Sequence, residues 1–403
     1  MDDMFPHINP NNNIAKIMVV GIGGGGGNAV NAMIREGISD VEFLALNTDK
    51  QALSSVKAKK LAIGEKLTKG LGAGANPDIG RQAAEESRST IQQLLEGADL
   101  VFIAAGMGGG TGTGAAPIVA QIARELGILT IAVVTKPFNF EGSRRMQYAE
   151  MGIANLKGNV DALVIVQNEK LNRDKNFSIM DAFAMADEIL MQGIRGITEI
   201  VVQNGRINLD LADVQCAMRN SGMAHMGIGE GKGKNKTIDA IRKAVYSPLS
   251  ETTIQGAANL MINFRGGSDL TLDEVTVGVD LVKQVISAKA NVLFGVAFDE
   301  NMKDEVRVTL IATGFSGGND NKASFFSSEA ATHVVADNVK RRVVDTAGAS
   351  PMASSDIFPK QQAPQQPAPQ QEYPKKQVNS PMSGNIPIDD DKNIPPFLRK
   401  MKG

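Results

Sequence analysis

Short apolar runs alternate with helical patterns through most of the chain, which is typical of an α/β protein. Over roughly the first 170 residues, five apolar runs of strand length are separated by stretches with helical spacing, and this predicts a parallel sheet with helices on both faces. The predicted strands are Ile14–Val20, Val41–Leu46, Leu100–Ala105, Leu129–Val134 and Ala162–Val166.

A single long helix is predicted next, because apolar residues recur in steps of three and four and form one continuous buried stripe. The stripe consists of Ile179, Phe183, Ala186, Leu190, Ile194, Ile197 and Val201. Further along, the capping-box sequence Thr271–Glu274 predicts a helix that runs to about Ala288. Three more apolar runs predict the strands of a second sheet: Leu260–Phe264, Val292–Phe298 and Val306–Ala312.

Composition changes near both ends of the chain. The first residues are polar, ten of the sixteen prolines lie after residue 350, and the Pro/Gln tract Gln361–Gln371 cannot bury a core. We therefore predict a disordered segment at 1–13, a first domain at 14–178, a central helix at 179–202, a second, smaller α/β domain at 203–316, a disordered linker at 317–387 and a terminal peptide at 388–403.

Charge and rare residues exclude several classes of protein. The net charge is −2, which gives no electrostatic reason to expect nucleic acid as a partner. Cys216 is the only cysteine and the three histidines are far apart, so an intramolecular disulfide and a His- or Cys-based metal site are not expected, and the protein ligands of any metal stay unknown. The acidic start and the lack of a long apolar run predict a cytoplasmic protein without a membrane span.

Two glycine-rich loops are the strongest signs of chemistry. Gly21–Gly26 has the pattern G-x-G-x-x-G between a strand and a helix, where backbone N–H groups can approach phosphate oxygens. Gly106–Gly114 follows another strand of the same predicted sheet, and Gly70–Asn76 could complete a cradle. Such loops at the carboxyl ends of strands can converge on one polyphosphate, so a nucleoside triphosphate is the expected ligand.

The segment Gly108–Gly114 resembles the signature of the tubulin/FtsZ superfamily of GTPases, and several further segments resemble its FtsZ family of bacterial cell-division proteins. These segments are Asn47–Asp49, Lys69–Pro77, Lys136–Gly142, Asn208–Val214 and Ile311–Phe315. The resemblance covers about residues 14–315 and resumes at Ile394–Arg399. It implies a Rossmann-like GTP-binding domain, a long central helix and a second domain that activates the GTPase.

The resemblance also implies which residues bind GTP or GDP. Glu141 and Arg145 match ribose-side contacts, and Asn168 and Asp187 match base-side contacts. Phe183 could stack on the base, and the Asp187 carboxylate could accept two hydrogen bonds that guanine donates and adenine cannot. The contacts implied for the glycine loops are Gly24, Gly25, Gly26, Gly27, Asn28, Gly110, Thr111 and Gly112.

The residues alone leave other interpretations open. Asp187 could be a solvated helix residue, and Phe183 could belong to the core. Glu141 and Arg145 have the i, i+4 spacing of a surface ion pair.

Catalysis is implied for Asn208, Asp210 and Asp213, which would act on the γ-phosphate held by a neighbouring subunit. Hydrolysis would then require head-to-tail assembly, with Mg²⁺ held mainly by the nucleotide and water. From spacing alone, ordinary capping of a helix N-terminus explains the same residues. A nucleotide-dependent polymer that does not hydrolyse its nucleotide is therefore an alternative.

The terminal peptide is implied to bind membrane-tethering and regulatory division proteins at the inner face of the membrane. Ile394, Pro395, Phe397, Leu398 and Arg399 carry this prediction, because they form an apolar cluster after a long polar spacer.

A nicotinamide-dependent oxidoreductase is the remaining alternative. Such an enzyme would be built on the first glycine loop and would use Asp49 to bind the ribose. This alternative does not explain the second glycine loop.

Overall fold

The computed structural model describes residues 15–38, 41–171, 178–202, 210–247, 253–287 and 289–315. The predicted disordered segments, Asn208 and the peptide with Ile394, Pro395, Phe397, Leu398 and Arg399 lie outside these residues.

The described residues form ten strands that share one hydrogen-bonded sheet. In chain order they are β1 (Ile17–Ile22), β2 (Glu42–Asn47), β3 (Lys59–Ala62), β4 (Leu100–Gly106), β5 (Leu129–Lys136), β6 (Ala162–Gln167), β7 (Gly222–Lys232), β8 (Asn259–Gly266), β9 (Asn291–Phe298) and β10 (Glu305–Thr313). All eight strands predicted from the apolar runs are present, within a few residues. β3 and β7 were not predicted.

Helices occupy most of the segments between the strands. They are α1 (Gly23–Arg35), α2 (Lys50–Ser54), α3 (Glu65–Thr68), α4 (Pro77–Glu86), α5 (Arg88–Leu95), α6 (Thr111–Glu125), α7 (Ser143–Lys157), α8 (Ile179–Val202), α9 (Leu211–Met218), α10 (Lys236–Val245) and α11 (Leu272–Lys283). Thr271 caps α11 as predicted, but the helix ends at Lys283 rather than near residue 288.

The strand order is β3-β2-β1-β4-β5-β6-β7-β10-β8-β9, and all pairs from β3 to β7 are parallel. β10 runs antiparallel to both β7 and β8, and β9 is parallel to β8. The prediction of a separate second sheet is therefore wrong. β7 joins the two parts because its first three residues pair with β6 and its later residues pair with β10.

Alternate residues of β1 show how the parallel part is buried on both faces. Val19 packs with α1 and α8 residues on one face, while Met18 and Val20 pack with α4, α5 and α6 residues on the other. Burial on both faces explains why these strands appear in the sequence as continuous apolar runs. A third core lies among α10, α11 and strands β8 to β10.

Candidate functional site

Most of the first glycine pattern, Gly21–Gly26, is helical, because α1 begins at Gly23. Its backbone lies directly on strand β4: a Cβ atom on Gly26 would be 2.3 Å from the carbonyl oxygen of Ala104. Real side chains do not tolerate so close an approach. Gly26 therefore lets the helix start immediately after β1.

The two glycine loops meet at the carboxyl ends of β1 and β4, as predicted. A Cβ atom on Gly23 would lie 2.9 Å from the amide nitrogen of Gly112, and one on Gly112 would lie 2.5 Å from the carbonyl oxygen of Gly106. Within the second loop, the amide of Gly108 donates a hydrogen bond of 2.8 Å to the Thr113 hydroxyl. The loops thus have fixed positions relative to each other.

The third loop joins the same cradle. A Cβ atom on Gly110 would be 2.8 Å from the Cβ atom of Ala73 and 2.9 Å from the amide nitrogen of Asn76. Asn76 in turn caps α4, since its side chain accepts a hydrogen bond from the amide of Asp78. All three predicted loops are therefore in contact.

Gly24 differs from its neighbours, because no other described atom lies within 4 Å of its notional Cβ position. Neither α1 nor α6 has a side-chain cap among the described residues, so their first N–H groups have no such acceptor. Free N–H groups at helix N-termini, beside an open glycine, form a site for an anion such as phosphate.

A cleft opens next to this turn. It is lined by Gly23, Gly24, Gly27, Asn28, Ala45, Asn47, Ala52, Leu53, Ser55 and Val56. Two of the predicted phosphate contacts, Gly24 and Gly27, and the predicted contact Asn28 therefore share one cleft.

Asn168 and Asp187 have the character expected of groups that read a base. The Asn168 side chain is buried, and its Oδ1 atom has no hydrogen-bond partner among the described residues. Burial raises the pKa of Asp187 to about 7, and the charge of Arg35 lowers it only in part. Asp187 is half-buried on α8, so the interpretation as a solvated helix residue is wrong.

Phe183 is 41% exposed and belongs to a cluster of three aromatic rings rather than to the core. Its ring meets Phe138 and Phe140 edge-on, with centroid distances of 5.6 Å and 6.2 Å. Ile179, one turn earlier, is 65% exposed. The predicted buried stripe of α8 is therefore wrong for these two residues, since the helix begins beyond the core and is buried only from Ala186 onward.

Glu141 and Arg145 form the ion pair that their spacing predicts, with 2.5 Å between Oε2 and Nη1. The other carboxylate oxygen of Glu141 accepts a hydrogen bond of 2.9 Å from the amide of Phe138. A ribose contact by Glu141 would have to form beside these existing bonds.

Asp210 caps α9, and its side chain accepts a hydrogen bond of 2.8 Å from the amide of Asp213. Both carboxylates belong to an exposed helix N-terminus. The capping interpretation is correct in geometry, and it leaves the Asp213 side chain free for another role. Cys216 on the same helix is exposed.

The structure does not bring α9 to the glycine loops. The carbonyl of Ala217 near the end of α9 accepts hydrogen bonds from Asn259, at the start of β8, and from Thr313, at the end of β10. Both positions lie at the edge of the sheet where the parallel strands begin, because β7 starts there beside Ala162. The glycine loops occupy the opposite edge, where the same strands end.

Two contacts in the site were not predicted from the sequence. The Thr48 and Thr111 hydroxyls are 2.7 Å apart, and no local pattern could have indicated a pair separated by 63 positions. The Asp49 carboxylate caps α2 by accepting hydrogen bonds from the amides of Gln51 and Ala52. Asp49 is therefore already engaged, which weighs against its use as the ribose acid of a dehydrogenase.

Among the described residues, no group of three or more His, Cys, Asp or Glu side chains could hold a metal ion. In the same part of the chain, no helix has both the length and the apolar character needed to cross a membrane.

Comparison with known families gives two matches in succession along the chain. Residues 16–176 match the GTPase domain of the tubulin/FtsZ family, and residues 222–316 match the C-terminal domain of the FtsZ family.

Comparison with solved structures agrees with these matches. An FtsZ dimer from M. jannaschii is 44% identical, with a TM-score of 0.73 over 75% of this chain and 89% of that chain. The CetZ2 protofilament of Haloferax volcanii, bound to GTPγS, is 20% identical, with a TM-score of 0.65 over 83% of this chain and all of that chain. CetZ1 from the same organism, a monomer bound to GDP, is 19% identical with a TM-score of 0.66. At these lower identities the CetZ structures show a shared fold only.

Proposed function

This chain belongs to the FtsZ family of tubulin-like GTPases, and from that premise we propose that it hydrolyses GTP at a site completed by a second copy of itself. As a member of this family it is a GTP-dependent cytoskeletal polymer of cell division. In each site, one subunit would bind the nucleotide and the neighbouring subunit would provide the catalytic residues.

Nucleotide binding is assigned to the carboxyl edge of the sheet. The N–H groups at the starts of α1 and α6 would hold the phosphates, with Gly24, Gly25, Gly26, Gly27 and Asn28 from the first loop and Gly110, Thr111 and Gly112 from the second. The open space at Gly24 supports this assignment, because it lets a phosphate oxygen approach the backbone.

Base recognition is assigned to Asn168 and Asp187, with Phe183 beside the base and Glu141 and Arg145 near the ribose. Guanine presents two adjacent donors, its ring N–H and its amino group, and an ionised carboxylate is an acceptor that can take both. The unpartnered Oδ1 of buried Asn168 provides one more acceptor. A site built from acceptors in this way favours guanine over adenine, which cannot donate the same pair.

Hydrolysis is assigned to Asn208, Asp210 and Asp213 of the neighbouring subunit, which would polarise and orient the attacking water. The observation that carries this proposal is the position of α9 at the opposite edge of the sheet from the glycine loops. A head-to-tail contact brings these two edges together, whereas a single subunit keeps them apart. The solved FtsZ dimer shows that a relative of 44% identity can self-associate.

Mg²⁺ is proposed as the counter-ion of the phosphates, held by the nucleotide and by water. The described residues supply no acidic cluster that would hold the ion without the nucleotide. Magnesium affinity should therefore be weak in the absence of nucleotide, which calorimetry can measure.

Recruitment to the membrane is proposed for the terminal peptide around Phe397 and Leu398, which would dock on membrane-tethering and regulatory division proteins at the division site. Removal of residues 394–403 should then leave polymerisation intact and abolish recruitment. Loss of polymerisation would contradict this division of labour.

The test of the shared site is phosphate release from GTP as a function of protein concentration. We expect activity per molecule to rise steeply above a threshold, and Asp213→Ala to bind GTP normally but to hydrolyse it at least tenfold more slowly. Glu150→Ala, an exposed acid on α7, is the matched control and should behave like the wild type. Activity per molecule that is independent of concentration would show that one subunit contains the whole site. Polymers without phosphate release would favour the non-hydrolysing alternative.

A further inference from the structure

Thr48 links two parts of the nucleotide site through a buried hydroxyl. It is only 1% exposed, and its Oγ1 atom lies 2.7 Å from Oγ1 of Thr111, the first residue of α6. Thr48 is therefore bonded directly to the helix N-terminus that is proposed to hold phosphate.

The backbone of Thr48 holds the start of the third loop. Its carbonyl oxygen accepts hydrogen bonds from the Thr68 hydroxyl at 3.3 Å and from the amide of Gly72 at 3.1 Å. Next to it, the amide of Lys50 donates to the carbonyl of Gly70 at 3.0 Å. The turn 68–72 is thus bonded to the backbone of Thr48 and to that of Lys50.

Leu71 lies at the outer end of this arrangement. It faces Asp49 in an isolated antiparallel bridge, and its side chain is 83% exposed. This side chain lies at the edge of the sheet where the proposed head-to-tail contact places a second subunit, so assembly would bury it. The path from Thr111 to Leu71 has Thr48 at its centre.

We propose that Thr48 is a positioning residue, whose hydroxyl fixes the turn carrying Leu71 relative to the phosphate-binding end of α6 so that Leu71 can pack against the next subunit. The inference rests on the proposed function, since it assumes head-to-tail assembly at this edge of the sheet. Thr48 itself touches neither the nucleotide nor the neighbouring subunit in this scheme.

The test compares Thr48→Val, which keeps the shape but removes the hydroxyl, with Thr48→Ser, which restores it. The measured quantities are the threshold protein concentration for phosphate release, the slope above that threshold and the Kd of dilute protein for GDP. We expect Thr48→Val to raise the threshold about fivefold, as the loss of one buried hydrogen bond would, with the slope within about twofold of wild type. The Kd should rise at most about threefold, and Thr48→Ser should return the threshold to within twofold of wild type.

Thr130→Val is the matched control, because Thr130 is equally buried and its hydroxyl makes one hydrogen bond that is remote from the glycine loops, donated to the carbonyl of Ile128. It should lower the Tm without moving the threshold. If Thr130→Val raises the threshold as much as Thr48→Val does, or if Thr48→Ser fails to restore it, the positioning role is wrong. A normal threshold with a reduced slope in Thr48→Val would also overturn the proposal, because Thr48 would then act in the chemical step.

The double variant Thr48→Val with Leu71→Ala tests the path to Leu71. If Thr48 acts through this turn, the double variant should raise the threshold by less than the product of the two single effects. Independent effects that multiply would contradict the proposed path. Should the wild type itself show no threshold, the proposed function fails first, and this outcome is distinct from any failure of the Thr48 variants.

Discussion

Asp187 on α8 interacts electrostatically with Arg35, the last residue of α1, yet the carboxyl keeps a pKa of about 7 because burial outweighs the attraction of the arginine. The desolvated carboxylate lacks the solvent that normally stabilises its charge. A ligand that donates hydrogen bonds to it would replace that solvent. The raised pKa is consistent with the proposed hydrogen bonds from the base to Asp187.

The affinity for GDP should depend on pH through Asp187. Only the ionised carboxylate can accept both hydrogen bonds of guanine, so affinity should fall by about tenfold per pH unit below pH 7 and level off above pH 8. Fluorescence titration with a labelled GDP between pH 5.5 and 8.5 measures this. Asp187→Asn cannot titrate at this position, so the pH dependence of affinity that remains in this variant measures the contribution of the nucleotide's phosphates. Equal pH dependence in both proteins would remove Asp187 from the base site.

Asp187→Asn should reverse the choice of base. An amide offers one acceptor and one donor, which matches the ring N–H and the neighbouring carbonyl of xanthine but not the two donors of guanine. We expect GDP binding to weaken by at least tenfold and the ratio of xanthosine to guanosine diphosphate affinity to rise. Competition binding with the two nucleotides measures the ratio, and an unchanged ratio would contradict the assignment.

The same variant should be more stable than the wild type when no nucleotide is bound. The folded pKa of Asp187 lies above its ordinary value of 3.8, so its contribution to stability is complete below about pH 4 and is lost as the pH rises towards 7. Asp187→Asn has no carboxyl group to ionise, so the variant does not lose this stability as the pH rises. The Tm of the nucleotide-free variant should therefore exceed that of the wild type at pH 8, and the difference should shrink at pH 4.5.

Alanine substitutions at Gly24 and Gly26 should affect different properties, nucleotide affinity at Gly24 and folding stability at Gly26. Gly26→Ala puts a methyl group 2.3 Å from the Ala104 carbonyl, so we expect a loss of stability of about 1–3 kcal/mol or more. Gly24→Ala meets no other described atom and should leave the Tm unchanged or slightly higher, while nucleotide affinity falls at least tenfold. Thermal melts and GDP titrations of the two variants provide the comparison. Normal nucleotide binding by Gly24→Ala would place the phosphates elsewhere.

Substitution of Glu199 should lower the stability of the protein more than substitution at most other positions of α8. Its buried carboxylate pairs with Arg195 and with Arg265, and also accepts a hydrogen bond of 2.8 Å from Asn263 on β8. Glu199→Gln removes the charge that both guanidinium groups share, which should lower the free energy of unfolding by about 3 kcal/mol or more.

Glu188→Gln is the control for this position, since Glu188 is exposed on the same helix and bonds only to Gln192 among the contacts described. It should change stability by less than about 0.5 kcal/mol in urea unfolding. Comparable losses of unfolding free energy in the two variants would show that the effect of Glu199→Gln does not come from the burial of the Glu199 charge.

Local patterns determined much of this protein. The spacing of α8 gave its bounds to within one residue, and the Thr271–Glu274 capping box gave the start of α11. The glycine-rich segments between strands gave both glycine loops and the edge of the sheet where they meet. Each of these features depends on residues close together in the chain, which is why the sequence alone could show them.

Other features depended on contacts between distant segments. β7 was missed because its apolar pattern is interrupted by glycines. Those glycines allow α10 to pack closely on the strand, since a Cβ atom on Gly227 or Gly229 would lie about 2 Å from a carbonyl oxygen of that helix. The exposure of Phe183, the burial of Asp187 and the Thr48–Thr111 bond likewise arise from packing. The sequence by itself determined eight of the ten strands, the long helix α8 and the glycine loops. Only the tertiary structure decided how the strands join into one sheet, which side chains are desolvated and which distant hydroxyls meet, because these follow from close packing of helices on a sheet.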